Sequence, residues 1–471
     1  QKYYYAVVSY DRGDTELMVA PVECSKTITV NPETGEVLLD VNTVAVVPRT
    51  MTAGYIASTF TDSLPGQIQG SGTGLINLEI INQTAIQDQN DYKIIFSEDD
   101  GLNYSVYDEK EVFDTLIARL GNYHKLSHKN IDSLTFELYK ANGTLLSKGS
   151  DYDLLDSDGQ ILIHNDGSIN ESEQIVAKFL YYPIKNSKKL ALEESNPIFD
   201  GIALSVQNDV LELDEGKIGW NQGSSNNWVP SIKPFNNLGN NKYPADYELR
   251  WFNENVSNNY RPGYEYVQAN FEIWETTRGI EPRQLPFIVI ETAPFDSLWN
   301  PGERIIILQD SSMSSLSWEL TFDTTDAPIA PVEGDVFSIF TTRAFADDIF
   351  SFSTYSSKED IIVEKNNMDD IYVVPNPYVV SSNIEPLDLQ NPLDRGPRRV
   401  YFSNLPSNCT IDIYTISGEL VRSLKHNSSI EDGIKYWDLT TSDNFPVSFG
   451  MYIFHVRSDN GNESTGRFAV I

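Results

Sequence analysis

Three aspartates, Asp153, Asp156 and Asp158, have the residue type and close spacing of a calcium-binding loop. Their carboxylates would supply the oxygen ligands that Ca²⁺ prefers. The segment lacks the regular ligand alternation and the closing glutamate of an EF-hand. Asp158-Gly159, placed between two short apolar runs, independently predicts a β-hairpin. We therefore expect a hairpin here with or without calcium, and Ca²⁺ is the only cofactor that the sequence suggests.

Other residues that could support catalysis do not form a recognisable motif. His124 and His128 have the spacing of a zinc-protease helix, but Lys125 replaces the glutamate that would act as general base. Glu275 and Glu291 could converge as a carboxylate pair, although a chain this acidic supplies such pairs by chance. We expect no enzymatic activity.

A fourth group of candidates is aromatic. Asn, Gly, Ser and Pro surround Trp220, Trp228, Tyr243 and Trp251. Such a stretch is either a long loop or a platform on which sugar rings stack. Tryptophans in β-proteins are more often buried in the core, because burying a large aromatic side chain is so favourable. Both interpretations stay open at this point.

The composition of the chain limits the classes of partner and function that these candidate residues could support. The chain has 471 residues, a formal net charge of -34 and abundant Tyr and Phe. Phosphate backbones would be repelled, so nucleic acid is not expected as a partner. Cys24 and Cys409 fall in different predicted domains, so the folds must hold without disulfides. No apolar run is long enough to span a bilayer, and a leader peptide, if the protein is exported, is expected upstream of Gln1 or already removed.

Strand-like patterns dominate the chain, with one exception. Short runs of β-branched and aromatic residues separated by turn residues predict an all-β protein of serial immunoglobulin-like β-sandwich domains. Between Glu111 and Leu120 the apolar residues recur at helical spacing, and Gly121 could end a helix there. We predict one short helix over 111–120.

The last hundred residues carry a series of motifs in order. A Pro-Asn-Pro entry is followed by a Ser-Gly turn between alternating strands, a Trp-containing strand, a Gly-x-Tyr strand and a closing Gly-x-Phe strand. The alternation predicts a hairpin with one buried face and a central strand that is apolar on both faces. The residues that define these motifs are Pro375, Asn376, Pro377, Gly418, Trp437, Gly450, Tyr452 and Gly466.

These motifs resemble the C-terminal sorting domain of type IX secretion cargo. The resemblance implies an immunoglobulin-like sandwich over 366–471 that directs export across a bacterial outer membrane, with the type IX machinery as partner. It also implies cleavage near 365–370. The sequence departs from the family at Asp443-Asn444, where Asp-Gly is usual, and at Phe449, where a smaller residue often stands.

The N-terminus resembles the final strands of a fibronectin type III domain. Tyr3, Tyr5 and Val7 line one face of a predicted strand whose earlier partners are absent from the chain. An unpaired apolar strand favours addition to another sheet, either in this chain or in a neighbouring copy. Repeated exchange between copies would build a head-to-tail filament.

The predicted domains are partial fibronectin-like strands and connector at 1–49, a β-sandwich with the helix at 50–195, a second β-sandwich at 196–365 and the sorting domain at 366–471. Related secreted proteins are O-glycosylated at Asp followed by Ser or Thr and then an apolar residue or Thr. That short pattern occurs at Ser63, Ser133, Ser297 and Thr324, and also at Thr115 on the predicted helix.

Together these features predict a structural or adhesive protein, extracellular or on the outer cell surface, with spacer domains and with other copies of itself or surface polysaccharide as partners. The alternative is the non-catalytic, carbohydrate-binding end of a larger secreted enzyme. A glycan array would separate the two hypotheses.

Overall fold

A computed structural model describes residues 3–11, 13, 20–25, 27–30, 37–46, 48–62, 64–235, 242–260, 266–312, 315–379 and 398–471. The described chain is nearly all β, as predicted, and forms two compact units. One unit comprises residues 1–58 and 357–471, and the other comprises residues 59–356. No helix in the described ranges is long and apolar enough to cross a membrane.

In the described residues, thirty strands precede residue 357. Strands β1 to β10 are Tyr3–Ala6, Ile28–Val30, Val37–Leu39, Thr43–Val46, Tyr55–Ile56, Thr59–Phe60, Gly66–Gln69, Leu75–Ile80, Asn90–Ser97 and Asn103–Ile117. Strands β11 to β20 are Tyr123–Lys125, Glu137–Lys140, Tyr152–Leu155, Gln160–Ile163, Gln174–Ser187, Ile202–Gln207, Glu212–Leu213, Gly219–Trp220, Val229–Pro234 and Tyr247–Trp251. Strands β21 to β30 are Ser257–Asn258, Gln268–Ala269, Phe271–Glu275, Arg283–Leu285, Phe287–Ile290, Arg304–Leu308, Leu316–Asp323, Val336–Ile339, Thr341–Thr342 and Ile349–Tyr355.

The remaining elements complete the C-terminal part. Strand β31 (Lys358–Glu359) precedes helix α1 (Ile361–Asn367), and strands β32 to β38 are Tyr372–Val374, Val400–Ser403, Asn408–Thr415, Leu420–Asn427, Lys435–Trp437, Gly450–Ser458 and Glu463–Val470. Short 3₁₀ helices cover Gln83–Ala85 and Met368–Asp370. Asp360 caps α1 by accepting hydrogen bonds from the backbone amides of Ile362 and Val363.

The predicted helix at 111–120 is wrong. Residues 112–117 belong to the long strand β10 and pair with β15. Val112 and Leu116 face a core, whereas Phe113 and Ile117 point to solvent. A spacing of four residues places two side chains on the same face of a helix and also of a strand, so these positions alone do not distinguish the two. Among the described residues the single α-helix is α1.

The unit of 59–356 contains a seven-stranded sheet in the order β12-β15-β10-β9-β30-β6, with β7 also paired to β30. Residues 202–206 of β16 share a core with residues 92–106, and β30 pairs with β9. The packing therefore does not change at the predicted boundary of residue 195. The four sequence-based ranges stay a prediction.

A β-sandwich occupies most of 219–339. Its two sheets are β18-β28-β20-β23-β24 and β19-β27-β26-β25. Alternate residues of strands such as β20 and β23 point inward. Four tryptophans lie in the shared core and a fifth, Trp220, packs against it. Trp251 packs on Trp220 with ring centroids 5.0 Å apart.

The other unit contains a second sandwich, which we call the C-terminal sandwich. Its sheets are β32-β33-β36 and β35-β34-β37-β38, and they enclose one apolar core. The predicted hairpin around Gly418 is present as β34 and β35, and the strand containing Tyr452 is central in its sheet. In the same unit β1 pairs with β4, and β2 pairs with β3.

Candidate interaction surface on the C-terminal sandwich

The entry and exit motifs of the C-terminal sandwich lie together in the fold. The side chain of Asn376 accepts a hydrogen bond from the amide of Ala469 at 3.2 Å and donates to the carbonyl of Arg467 at 3.3 Å. The amide of Tyr378 donates to the carbonyl of Ala469, and the amide of Ile471 donates to the carbonyl of Tyr378, each at 2.8 Å. The Pro375–Pro377 segment thus continues the sheet at the edge of β38.

Several motif residues serve the core of this sandwich. Trp437 and Tyr452 are buried against Phe468, and the Tyr452 ring stacks on the Phe468 ring at 5.6 Å. The indole N–H of Trp437 donates to the carbonyl of Thr440, and the hydroxyl of Tyr452 donates to that of Ser448. Burial raises the pKa of Tyr452. These polar tips are therefore satisfied while the rings fill the interior.

Beside this core the surface is apolar. A groove of about 640 Å³ is lined by Phe449, Gly450, Met451, Ala469, Val470 and Ile471. We call it the terminal groove. The side chain of Phe449 is 72% exposed and also lines a neighbouring cavity of about 320 Å³ with Tyr378 and Val447. Exposed apolar side chains therefore border the groove at this edge of the sandwich. Phe449 is one of the two places where the sequence departs from the sorting-domain pattern that it resembles.

The tryptophans of the suggested sugar platform lie in or against the core of the sandwich at 219–339. Trp228 and Trp251 are buried, and Trp220 packs against the same core with partial exposure. Tyr243 is the exposed member of the group. The surrounding Asn, Gly and Ser residues suggested a loop, whereas Trp220 and Trp251 lie on strands β18 and β20, and Trp228 directly precedes β19.

The predicted calcium ligands do not converge. Asp153 pairs with His164 at 3.0 Å and Asp156 with Lys185 at 3.6 Å, while Asp158 is exposed at the turn. In the ranges that the structure covers, no group of three or more His, Cys, Asp or Glu residues could hold a metal ion. The predicted hairpin is confirmed, because β13 and β14 pair around Asp158-Gly159.

Glu275 and Glu291 have separate polar partners. Glu275 is buried and pairs with Arg283 at 2.7 Å, whereas Glu291 accepts a hydrogen bond from the amide of Ser297. These contacts give each carboxylate a structural role. Of the candidate glycosylation positions, Ser133 and Thr324 are exposed, Ser297 is half-buried and Ser63 lies outside the described residues.

A pair of neighbouring carboxylates, the buried Asp108 and the half-buried Asp200, was not anticipated from the sequence. The hydroxyls of Tyr92 and Tyr181 donate to Asp200 at 2.9 and 3.4 Å, and Asp108 lies beside this group. Asp108 accepts hydrogen bonds from Asn90 and from the amide of Lys110. Burial raises the pKa of Asp108, and the charge of Asp200 adds to that shift. No local sequence pattern predicts this cluster of tyrosines and aspartates, because its members come from four separate segments.

Strand β1 has a partner within the chain. Tyr3 and Tyr5 pair with Val46 and Val44, so one edge of the strand is occupied. The strand is exposed on both faces, and Val7 is 81% exposed. Within the described residues no strand pairs with the other edge of β1.

Comparisons with known proteins give only distant similarities. No protein-family model matches the chain, and no curated protein matches it. PorZ, described as an essential surface component of the type-IX secretion system of Porphyromonas gingivalis, is 11% identical with a TM-score of 0.19; the match covers 92% of this chain and 62% of that one.

Two further solved structures are similarly distant. The BSP domain of a biofilm associated protein is 9% identical with a TM-score of 0.15, over 90% of this chain and 83% of that one. Dimeric latent PorU from Porphyromonas gingivalis is 13% identical with a TM-score of 0.15, over 92% and 35%. The chain thus spans less than two thirds of PorZ and about a third of PorU. Similarities at these TM-scores carry no argument about function.

Proposed function

We propose that this chain is a structural or adhesive β-domain protein of the outer cell surface, exported by the type IX machinery through residues 366–471. The observation that carries the proposal is the joined entry and exit of the C-terminal sandwich. Asn376 of the Pro-Asn-Pro motif bonds to Arg467 and Ala469 of the closing motif. Because the two motifs are distant in sequence and adjacent only in the folded domain, the export machinery could recognise them together only after the sandwich has folded.

The terminal groove is the surface that we assign to recognition. It is apolar, it lies beside the joined motifs, and Phe449 stands exposed at its rim. The body of the protein, residues 59–356, would act as a spacer, and the proposal includes no catalytic step. The buried state of Trp228 and Trp251 disfavours the alternative of a carbohydrate-binding accessory part.

Deletion of residues 372–471 tests the proposal in cells that have a type IX system. The truncated chain should accumulate in the periplasm, whereas the intact chain should reach the surface or medium. A sharper variant is Phe449→Ser, which should reduce export while the sandwich stays folded. Phe113→Ser is a matched control, because Phe113 is also exposed but lies on β10. Export of the truncated chain at the normal level contradicts the proposal.

Assembly of copies through β1 is a second, separable part of the proposal. It is supported by the exposed apolar side chains of Tyr5 and Val7 and by the edge of β1 opposite β4. Removing residues 1–11 should lower the mass of any oligomer measured by light scattering. An oligomer that survives this deletion unchanged would exclude β1 as the joint.

A further inference from the structure

Residues 49–56, which we call the latch segment, lie against the C-terminal sandwich although they precede it by more than 300 residues. The amide of Gly433 donates to the carbonyl of Thr50 at 2.7 Å, and the amide of Ala53 donates to the carbonyl of Leu405 at 3.1 Å. The latch segment thus exchanges main-chain hydrogen bonds with the sandwich in both directions. This is the bonding by which a sheet or loop edge captures an extended peptide.

Side chains of the latch segment add to this contact. The amide and the hydroxyl of Thr52 both donate to the carbonyl of Ile430 at 3.0 Å. The Thr50 hydroxyl lies 2.9 Å from that of Ser403, and Arg49 forms an ion pair with Asp432. The buried hydroxyl of Thr52 is therefore satisfied by a specific carbonyl, which fixes the register of the segment.

The contact admits only small side chains at its centre. Ala53 is fully buried. A Cβ added to Gly54 would lie 3.0 Å from the carbonyl oxygen of Asp360, and one added to Gly433 would lie 2.4 Å from the carbonyl oxygen of Met51. Larger residues at these positions would separate the latch segment from the sandwich, because backbone atoms cannot yield as a flexible side chain can.

The helix α1 closes the other side of the latch segment. The side chain of Asn367 donates to the carbonyl of Ala53 at 2.8 Å, and the amide of Asp360 donates to the carbonyl of Gly54 at 2.9 Å. The buried carboxylate of Glu364 in turn accepts hydrogen bonds from Asn460 and Asn462 at 2.8 and 2.9 Å. The helix is therefore bonded both to the latch segment and to the turn between β37 and β38.

We propose that residues 403–407 and 430–433, together with α1, form a peptide-binding site whose ligand is the latch segment of the same chain. This site retains the C-terminal sandwich when the backbone that links it to residues 59–356 is cut. The inference does not depend on export. If export is accompanied by cleavage near 365–370, which rests on the proposed function, that cut alone does not release the sandwich.

A nicked full-length chain tests the inference. A protease recognition sequence is inserted between Ser356 and Ser357, and the mass is measured by light scattering after cleavage. The two fragments should stay together at the mass of the uncut chain. Ala53→Arg should abolish this association. Met51→Arg, which adds the same charge to a 39% exposed side chain of the same segment, should not.

A peptide competition tests the same contact in the wild-type chain, so the result does not depend on whether the Ala53→Arg variant folds. Excess peptide with the sequence of residues 48–58 should displace the N-terminal fragment from the nicked wild-type chain, and the same peptide carrying the Ala53→Arg change should not. Separation of the wild-type fragments immediately after cleavage overturns the inference, as does retention in the nicked Ala53→Arg chain. A doubled mass that Ala53→Arg abolishes would mean that a second copy supplies the segment, which overturns binding within one chain.

Discussion

Gly466 lies directly opposite Phe454 on the neighbouring strand, and the phenyl ring covers its Cα. A Cβ added to Gly466 would lie 2.2 Å from Cζ of Phe454. This ring also packs edge-to-face on Phe402 of the facing sheet, with centroids 5.5 Å apart. The glycine of the closing motif therefore has a packing role as well as its place in the proposed signal.

Replacing Gly466 by Val should destabilise the C-terminal sandwich by about 1–3 kcal/mol, because the ring must leave its position in a packed core. Thermal unfolding followed by calorimetry measures the effect. Gly219→Ala, also in a strand but with open space around the added carbon, is the control and should change little. An unchanged melting temperature for Gly466→Val would mean that the ring has room to move.

Acidification should destabilise the unit of residues 1–58 and 357–471. Burial lowers the pKa of His426, whose Nε2 lies 3.0 Å from the carbonyl oxygen of Asp432. The unfolded chain, with a histidine pKa of about 6.5, then binds more protons than the folded one as the pH falls below that value. The stability that the neutral, buried His426 contributes is therefore fully present above pH 6.5 and is lost as the pH falls below that value. Melting temperatures between pH 5 and 8 should show this slope, and His426→Gln should flatten it.

The buried Asp108 should have the opposite pH dependence. Because its pKa is raised in the folded state, its ionisation lowers stability as the pH rises above the unfolded value of about 3.9. Asp108→Asn keeps an oxygen that can accept from Asn90 and Lys110. We expect it to raise the melting temperature at pH 7, with a smaller gain at pH 4. Asp158→Asn, at an exposed turn, is the control, and an equal gain at both pH values would contradict the assignment.

Trp251→Ala should cost about 3–5 kcal/mol, as expected for a large aromatic side chain removed from a packed core. Tyr243→Ala, from the same predicted platform but exposed, should cost far less. Chemical denaturation monitored by fluorescence measures both. If Tyr243→Ala were the more destabilising change, the packing described around Trp251 would be incorrect.

Local patterns predicted turns and strands well, as the two hairpins at Asp158-Gly159 and Ser417-Gly418 illustrate. Gly159 and Gly418 both have positive φ. A tight turn needs such a residue whatever the rest of the fold, so the turn can be predicted from the local sequence. The interpretation of 111–120 failed because Val112 and Leu116 satisfy the periods of a helix and a strand alike. Pairing with β15 decided between them, and that strand is more than fifty residues away.

The tryptophan cluster illustrates a different limit. Polar neighbours of Trp220 and Trp228 indicate a loop when the segment is read alone. In the fold, Phe322 of the opposing sheet lies 5.7 Å from Trp220, and Trp299, from the segment before β26, lies 5.8 Å from Trp228. Whether an aromatic ring faces solvent or a core depends on what covers it. That covering comes from strands β27 and the segment before β26, which no local pattern of residues 220–251 can specify.

By itself the sequence determined the all-β class, the turn positions and the motif order of the last hundred residues, because alternation and turn chemistry act over a few residues. Only the tertiary structure decided that Asn376 meets Ala469, that Asp108 lies beside Asp200, and that Thr50 binds Gly433. These contacts join segments that are distant along the chain. Their existence depends on the pairing of whole strands, and each strand alone could pair in several ways.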